Sequence, residues 1–253
     1  MNVITDNTGS FPATGTTIHS VNTTNSLLDT SLAVDSQSPN IVHAITTYLS
    51  SGHWTLRYRN NQGGWGAGTD EVPNNLPSDA SCDEYLYAAI AVDSNHNPHI
   101  AYLCRETAND VCTIYYATKS GSDWTHTSIG NVMVSNCSGT LSARHRPSLA
   151  LDTSGKAHIA WFDDDTNAIM YRTNSSGSWS AAAAADSSNT AYGDCAITLD
   201  AGKKPYIFFR DGSQNLKLTT SNSGSWITES TGATHVTGVG TAATTGVAGR
   251  SNH

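Results

Sequence analysis

The sequence predicts an all-β chain assembled from four tandem copies of one small antiparallel unit, and three observations predict it. Ser148 to Trp179, SLALDTSGKAHIAWFDDDTNAIMYRTNSSGSW, alternates short apolar runs with clusters of Gly, Asn, Asp and Ser, the pattern of strands joined by tight turns. The first run of each copy ends in an aspartate, at Asp35, Asp93, Asp152 and Asp200, spaced 58, 59 and 48 residues apart. Each copy closes on a tryptophan after a Gly/Ser/Asn turn, at Trp65, Trp124, Trp179 and Trp226, spaced 59, 55 and 47 apart. Units of about 40–50 residues built from several short strands are the mark of propeller blades. A single antiparallel unit cannot bury both of its faces, so its neighbours must stack on it. The fold class expected is therefore a β-propeller of four visible repeats: four blades, or five with a split terminal blade.

The elements follow in order. Residues 1–30 are polar, with weak strands at Val3–Thr5 and Thr17–Val21, and are expected to close the last blade. The repeats occupy 31–65, 89–124, 148–179 and 196–226 within a propeller body of 31–226. Residues 227–253 form a Thr/Gly/Ala-rich tail that either completes a blade or links onward. The four tryptophans are expected to pack between blades and the four aspartates to cap turns.

Composition narrows the function. Charged residues are 13% of the chain and the net charge is −8, the wrong balance for a nucleic-acid binder. No apolar run reaches the length of a transmembrane helix, and the first residues are neither basic nor apolar enough for a signal peptide. An excised extracellular or cell-surface domain is expected, without membrane insertion.

Five cysteines leave one unpaired. Cys104 and Cys112 flank the turn RETANDV and are expected to bridge it; Cys82 and Cys137, in long connections, are expected to pair with each other. Cys195 is then the free thiol. Two bridges imply an oxidising compartment. No Cys-x-x-Cys or His pair at ligand spacing marks a metal site. The turn Asp163-Asp164-Asp165-Thr166-Asn167 reads as a solvated turn, since Asp and Asn favour turns. Asp163 and Asp165 also offer oxygens of the kind Ca²⁺ takes, which makes Ca²⁺ the one cofactor the sequence admits.

In a four-stranded blade the first-to-second and third-to-fourth turns share one end. Here they are short and alike. The second-to-third turns and inter-repeat connections share the other end, where the copies diverge. Loops on a rigid scaffold are where binding residues sit. The ligand-binding candidates are Trp54, unique to repeat one, with Tyr85, Arg105, Glu106, Arg144, Asp163, Asp164, Arg210 and Asp211; Arg146 and Tyr192 share that face. The connection 66–87, with Asp70, Glu71, Asp79, Asp83 and Glu84, is acidic and aromatic. The connection 180–194 reads as unremarkable.

The repeat [S/A]-[L/I]-[A/T]-[V/L]-D, then Pro-His-Ile-Ala-Tyr or its variants, then Ser-Gly-Ser-Trp, resembles bacterial β-propeller repeats, similar in style to sialidase-like and fucose-lectin-like propellers. The likeness covers about residues 31–226. Asp152-Thr153-Ser154-Gly155 has part of the sialidase Asp box without its Thr-Trp ending. A sialidase-like site would draw on Arg105, Arg144 or Arg146, and Arg210, with Tyr85 and Glu84. Of the Arg, Glu and Trp that fucose-lectin propellers repeat, only the Trp recurs here. The resemblance implies a domain that recognises a glycan or another cell-surface ligand, as the tip of an adhesin or a homo-oligomeric fibre. The alternatives are a sialidase-like glycoside hydrolase, with catalytic carboxylates among Glu84, Glu106 and Asp163 to Asp165, and a non-catalytic protein-binding scaffold.

Overall fold

A computed structural model describes residues 2–3, 16–17, 27–35, 41–62, 82–121, 123–133, 137, 142–186, 188–222, 224–236 and 239. Trp65 and the acidic stretch with Asp70, Glu71 and Asp79 lie outside them. Two short strands, β1 (Asn2–Val3) and β2 (Thr16–Thr17), pair antiparallel near the N-terminus. Four meander sheets follow. Blade one contains β3 (Leu27–Asp35), β4 (Ile41–Ser50) and β5 (His53–Asn60). Blade two contains β6 (Glu84–Val92), β7 (Pro98–Glu106), β8 (Val111–Ser120) and β9 (Asp123–Met133). Blade three contains β10 (Ser148–Leu151), β11 (Ala157–Asp163), β12 (Ala168–Thr173) and β13 (Ala183–Asp186). Blade four contains β14 (Ala191–Leu199), β15 (Pro205–Asp211), β16 (Leu216–Asn222) and β17 (Ser225–Ser230).

The first strands form the hub: β3 touches β6, β6 touches β10 and β10 touches β14. Hydrogen bonds tie the hub together. The Ser31 hydroxyl accepts from the Ile90 amide at 3.3 Å and the Ser148 hydroxyl from the Ile197 amide at 3.0 Å. Faces that meet a neighbour are apolar on both sides, so β6 is a run of buried residues rather than an alternation.

The repeat motifs build the blade-to-blade contacts. A histidine on the second strand bonds a tyrosine hydroxyl on the third in blades one to three: His43 with Tyr58 at 2.6 Å, His99 with Tyr116, and His158 with Tyr171 at 2.6 Å. Each tyrosine then meets, edge to face, the tryptophan of the next blade. The Tyr58–Trp124, Tyr116–Trp179 and Tyr171–Trp226 centroids lie 5.4, 5.0 and 5.0 Å apart, a favoured aromatic geometry. The recurring tryptophans among the described residues are thus inter-blade wedges. Trp161 packs so closely on blade two that a Cβ on Gly130 would lie 2.5 Å from its ring, and its indole N–H donates to the Asn131 carbonyl at 3.0 Å.

Three of the four strand-end aspartates cap their turns. Asp93 Oδ1 accepts the Asn95 and Asn97 amides, Asp152 Oδ1 those of Ser154 and Lys156, and Asp200 Oδ1 that of Lys204. Two of the four latch blades together: Asp35 pairs with His96 of blade two, and Asp152 with Lys203 of blade four at 2.9 Å.

The disulfides overturn both expected pairings, Cys104 with Cys112 and Cys82 with Cys137. Cys82 bonds Cys104 and Cys112 bonds Cys137, while Cys195 is free and buried. Cys104 and Cys112 cannot bridge their turn because the register pairs Cys104 with Thr113 and Arg105 with Cys112. They are one residue out of step, and alternation sends their side chains to opposite faces of the sheet. Each instead anchors a connection flanking blade two.

Two long connections are also more regular than expected. Glu84, Tyr85 and Tyr87 begin β6 rather than ending a loop, and the stretch from Thr125 starts inside β9. The Ala/Ser-rich 180–194 segment supplies the fourth strand of blade three and the first residues of β14. No helix among the described residues is long and apolar enough to cross a membrane.

Candidate functional site

The site begins with a shared irregularity at the mouth of the hub. Register places Ser31, Ala89, Ser148 and Ala196 at one equivalent position, opposite Ile45, Ala101, Ala160 and Phe208. Just upstream, β3, β6 and β14 each break register, between Leu27 and Asp29, Leu86 and Ala88, and Ala191 and Cys195. Such bulges redirect side chains next to sites. Tyr87 and Asp194 take φ of 41° there, an uncommon conformation for non-glycine residues. Two residues before the shared position stand Asp29, Tyr87, Arg146 and Asp194, one from each blade.

These four side chains interact. Arg146 of blade three grips Asp29 of blade one with two guanidinium nitrogens, Nε at 3.0 Å. Burial raises the Asp29 carboxyl above its ordinary pKa against the pull of Arg146. Burial likewise raises Tyr87, helped by the Asp29 charge and opposed by Arg146. Asp194 is raised by burial against Arg210, Arg146 and Arg144, and Arg210 lies 3.6 Å from it. Two protonation-prone carboxyls thus share one arginine.

Beside this ring, a short 3₁₀ turn (Ala143–His145) delivers Arg144 and His145. Arg144 pairs with Asp164 at 3.0 Å, and the fully buried His145 lies 3.8 Å from the same carboxylate. Burial, seconded by Arg144, lowers the His145 pKa. The guanidinium carbons of Arg144 and Arg210 stand 5.0 and 5.2 Å from the ring centre of Tyr192, within cation–π range. Tyr192 is still 48% exposed. Gly193 makes the approach feasible: a Cβ there would overlap the Arg144 side chain and lie 3.0 Å from its carbonyl oxygen, and φ is +85°.

Tyr192 also stands at a cleft of about 600 Å³ between blades three and four, within the size range of small-molecule sites. Its lining includes Asn167, Asp186, Ser188, Thr190, Asp211 and Lys217. Buried Asp186 accepts hydrogen bonds from Ser188 at 2.7 Å and Thr228 at 2.9 Å. A smaller cavity of about 260 Å³, with Asp35, His43, Tyr58, His96 and Lys119 in its wall, lies at the opposite end between blades one and two.

The expected residues fall into separate groups. Arg144, Asp164, Arg210, Tyr192 and Arg146 come together, and Asp211 lines the cleft while capping its own turn through Ser213 and Asn215. Arg105 and Glu106 stand apart in blade two. Arg105 bonds Glu84 at 2.7 Å and Asp110 at 3.5 Å, and Glu106 accepts from Asn109 at 2.6 Å. Tyr85 is half-buried against Tyr102, and Trp54 is half-buried against the core. Asp163 Oδ1 accepts the amides of Asp165 and Thr166. No group of three or more His, Cys, Asp or Glu among the described residues is arranged to hold a metal ion. Sequence reading passed over Asp29, Tyr87, Asp186 and Asp194. Extending the repeat alignment two residues upstream of Ser31 would have found three of them.

No protein-family model and no curated protein matches this sequence. Solved structures do. The chain is similar to Penicillium chrysogenum α-L-arabinanase complexed with arabinobiose, with a TM-score of 0.52, 12% identity, and coverage of 81% of this chain and 66% of that one. It is similar to the α-L-arabinofuranosidase of Fusarium graminearum in complex with an iminosugar inhibitor, at TM-score 0.53, 8% identity, and coverage of 81% and 66%. It is also similar to an arginine-to-alanine mutant of AofleA from Arthrobotrys oligospora, at TM-score 0.52, 15% identity, and coverage of 83% and 60%. The fold is a β-propeller. The chain spans 60–66% of the length of these neighbours.

Proposed function

We propose that this protein is an extracellular propeller domain that binds carbohydrate at the loop-bearing end of blades three and four. The observation that carries the reading is the cleft with exposed Tyr192 at its rim and hydroxyl, amide and charged groups along its wall. Sugars need an aromatic surface for their C–H faces and polar partners for their hydroxyls, and both meet in this cleft. Two disulfides suit an oxidising compartment, in keeping with recognition at a cell surface or fibre tip. The sugar-bound neighbours make arabino-oligosaccharides the first probes.

The test is binding to a glycan array that includes arabino-oligosaccharides, with Tyr192→Ala and Lys217→Ala beside the parent protein. Loss of a hit in both variants supports the cleft. A hit that survives both removes it.

A second reading, glycoside hydrolysis, draws support from Asp29 and Asp194. Hydrolases of this kind use two carboxyls, one holding a proton at working pH and one ionised. Here two carboxyls raised by burial flank Arg146. Release of reducing sugar that disappears in Asp194→Asn, while binding persists, would favour the enzyme.

A further inference from the structure

The cavity of about 260 Å³ between blades one and two lies at the end of the ring where the turns are short and alike. The residues around it nevertheless break the repeat. Register sets His99 against Thr118 and His158 against Thr173, but His43 against Asn60. Asn60 lines the cavity together with His43, Tyr58, Gln62 and Lys119.

The hydrogen bonds around His43 fix its tautomer. The Gln62 amide donates to Asn60 Oδ1 at 3.0 Å, which leaves Asn60 Nδ2 to donate to the Tyr58 hydroxyl at 3.2 Å. Tyr58 sends its own proton to His43 Nδ1 at 2.6 Å. Burial keeps the ring neutral, with a pKa lowered to about 4. A neutral imidazole that accepts at Nδ1 carries its proton on Nε2. That N–H belongs to a residue only 3% exposed and meets no acceptor. A buried donor left unpaired is a costly exception in a folded protein.

The other junctions treat this place differently. In blade two the same atom of His99 faces its own strand-end carboxylate, Asp93, at 3.4 Å. In blade one Asp35 is instead engaged by His96 of blade two. Between blades three and four the equivalent of His96 is Lys203, also three residues after its aspartate and also at φ 67°. His158 Nε2 lacks a partner there as well, but the nearby Lys203 ammonium is committed to Asp152 and to the Ser154 hydroxyl, both at 2.9 Å. The junction of blades one and two alone adds a second basic side chain to the one that holds the aspartate: the Lys119 ammonium stands 6.0 Å from the ring centre of Tyr58.

We propose that this cavity binds a small oxyanion, a carboxylate or a phosphate, which accepts the His43 Nε2 proton and takes its countercharge from Lys119. Asp35 is turned to His96 and does not take up the His43 proton. Hydrogen bonds to an ionised acceptor are stronger than those to a neutral hydroxyl, so an anion satisfies the buried donor best. The cavity exceeds the ~30 Å³ share of one water several-fold and falls just below the range of drug-sized ligands, which suits a compact ion.

Long-range ¹H–¹⁵N spectra of the full chain test this by following each histidine ring nitrogen while sodium phosphate or sodium acetate is titrated at constant pH and ionic strength. The expected result is a saturable shift of His43 Nε2 with one or both anions, while His99 and His158 stay in place. Lys119→Gln should weaken that binding ~10-fold. A response to both anions identifies the oxyanion group itself as what is recognised; a response to one names its source. Shifts that never saturate, that appear equally at all three histidines, or that are as strong in Lys119→Gln would overturn the proposal. So would a saturable response to a neutral monosaccharide and to neither anion.

Discussion

Acid should weaken this fold through the buried histidines in the inter-blade wedges. In neutral form, Nδ1 of His43 and of His158 accepts the tyrosine hydroxyl at 2.6 Å, while Nε2 has no partner. Burial holds both pKa values down at about 4 against an ordinary 6.5, despite the opposing charges of Asp35 and Asp152. The unfolded chain therefore binds protons that the native state refuses. Stability is complete above about pH 6.5 and is lost as pH falls from there toward 4. At pH 5.5 the linkage amounts to ~1.4 kcal/mol per histidine, or ~3 kcal/mol for the pair. His99 and His145, also lowered by burial, act in the same direction. The raised carboxyls Asp29, Asp163 and Asp194 act in the opposite direction, so the histidine contribution is isolated by comparing the parent with a histidine variant. Urea unfolding at about pH 7.5 and 5.5 should show the loss, and His158→Gln should reduce it by about 1.4 kcal/mol. An unchanged difference between those pH values in His158→Gln would refute the reasoning.

Three further outcomes follow from the packing. Gly193→Ala should cost about 1–3 kcal/mol in thermal unfolding, because the residue sits at φ +85° with Arg144 in the space a methyl group needs; no cost would mean that Arg144 is free to move. Replacing both cysteines of either disulfide by serine should cost about 3 kcal/mol, given loops of 22 and 25 residues, and denaturant midpoints read it directly. Ile90→Ala should cost about 2–5 kcal/mol, since Ile90 is fully buried between blades one and two, and a loss well under 1 kcal/mol would contradict that interface.

The sequence by itself determined the blades. Recurring Asp and Trp positions, together with strands of alternating or continuous apolarity, are local signals, and a repeat displays each of them several times. The same periodicity identified the aspartates as turn caps and the tryptophans as packing residues, and composition required one odd thiol among the five cysteines. What only the tertiary structure decided depends on register and on which face a side chain takes. A one-residue offset sends Cys104 and Cys112 to opposite sides of one sheet, so the disulfide partners could not be read from their closeness in sequence. Bulges at the start of β3, β6 and β14 break the alternation just where the hub residues lie, which hid Asp29, Tyr87 and Asp194 among apparent loop residues. The pairing of Arg146 with Asp29, 117 positions away, exists only because the ring brings blades one and three to a common axis. Side chains that converge on such an axis come from segments with no neighbours in sequence, so no local pattern records their meeting.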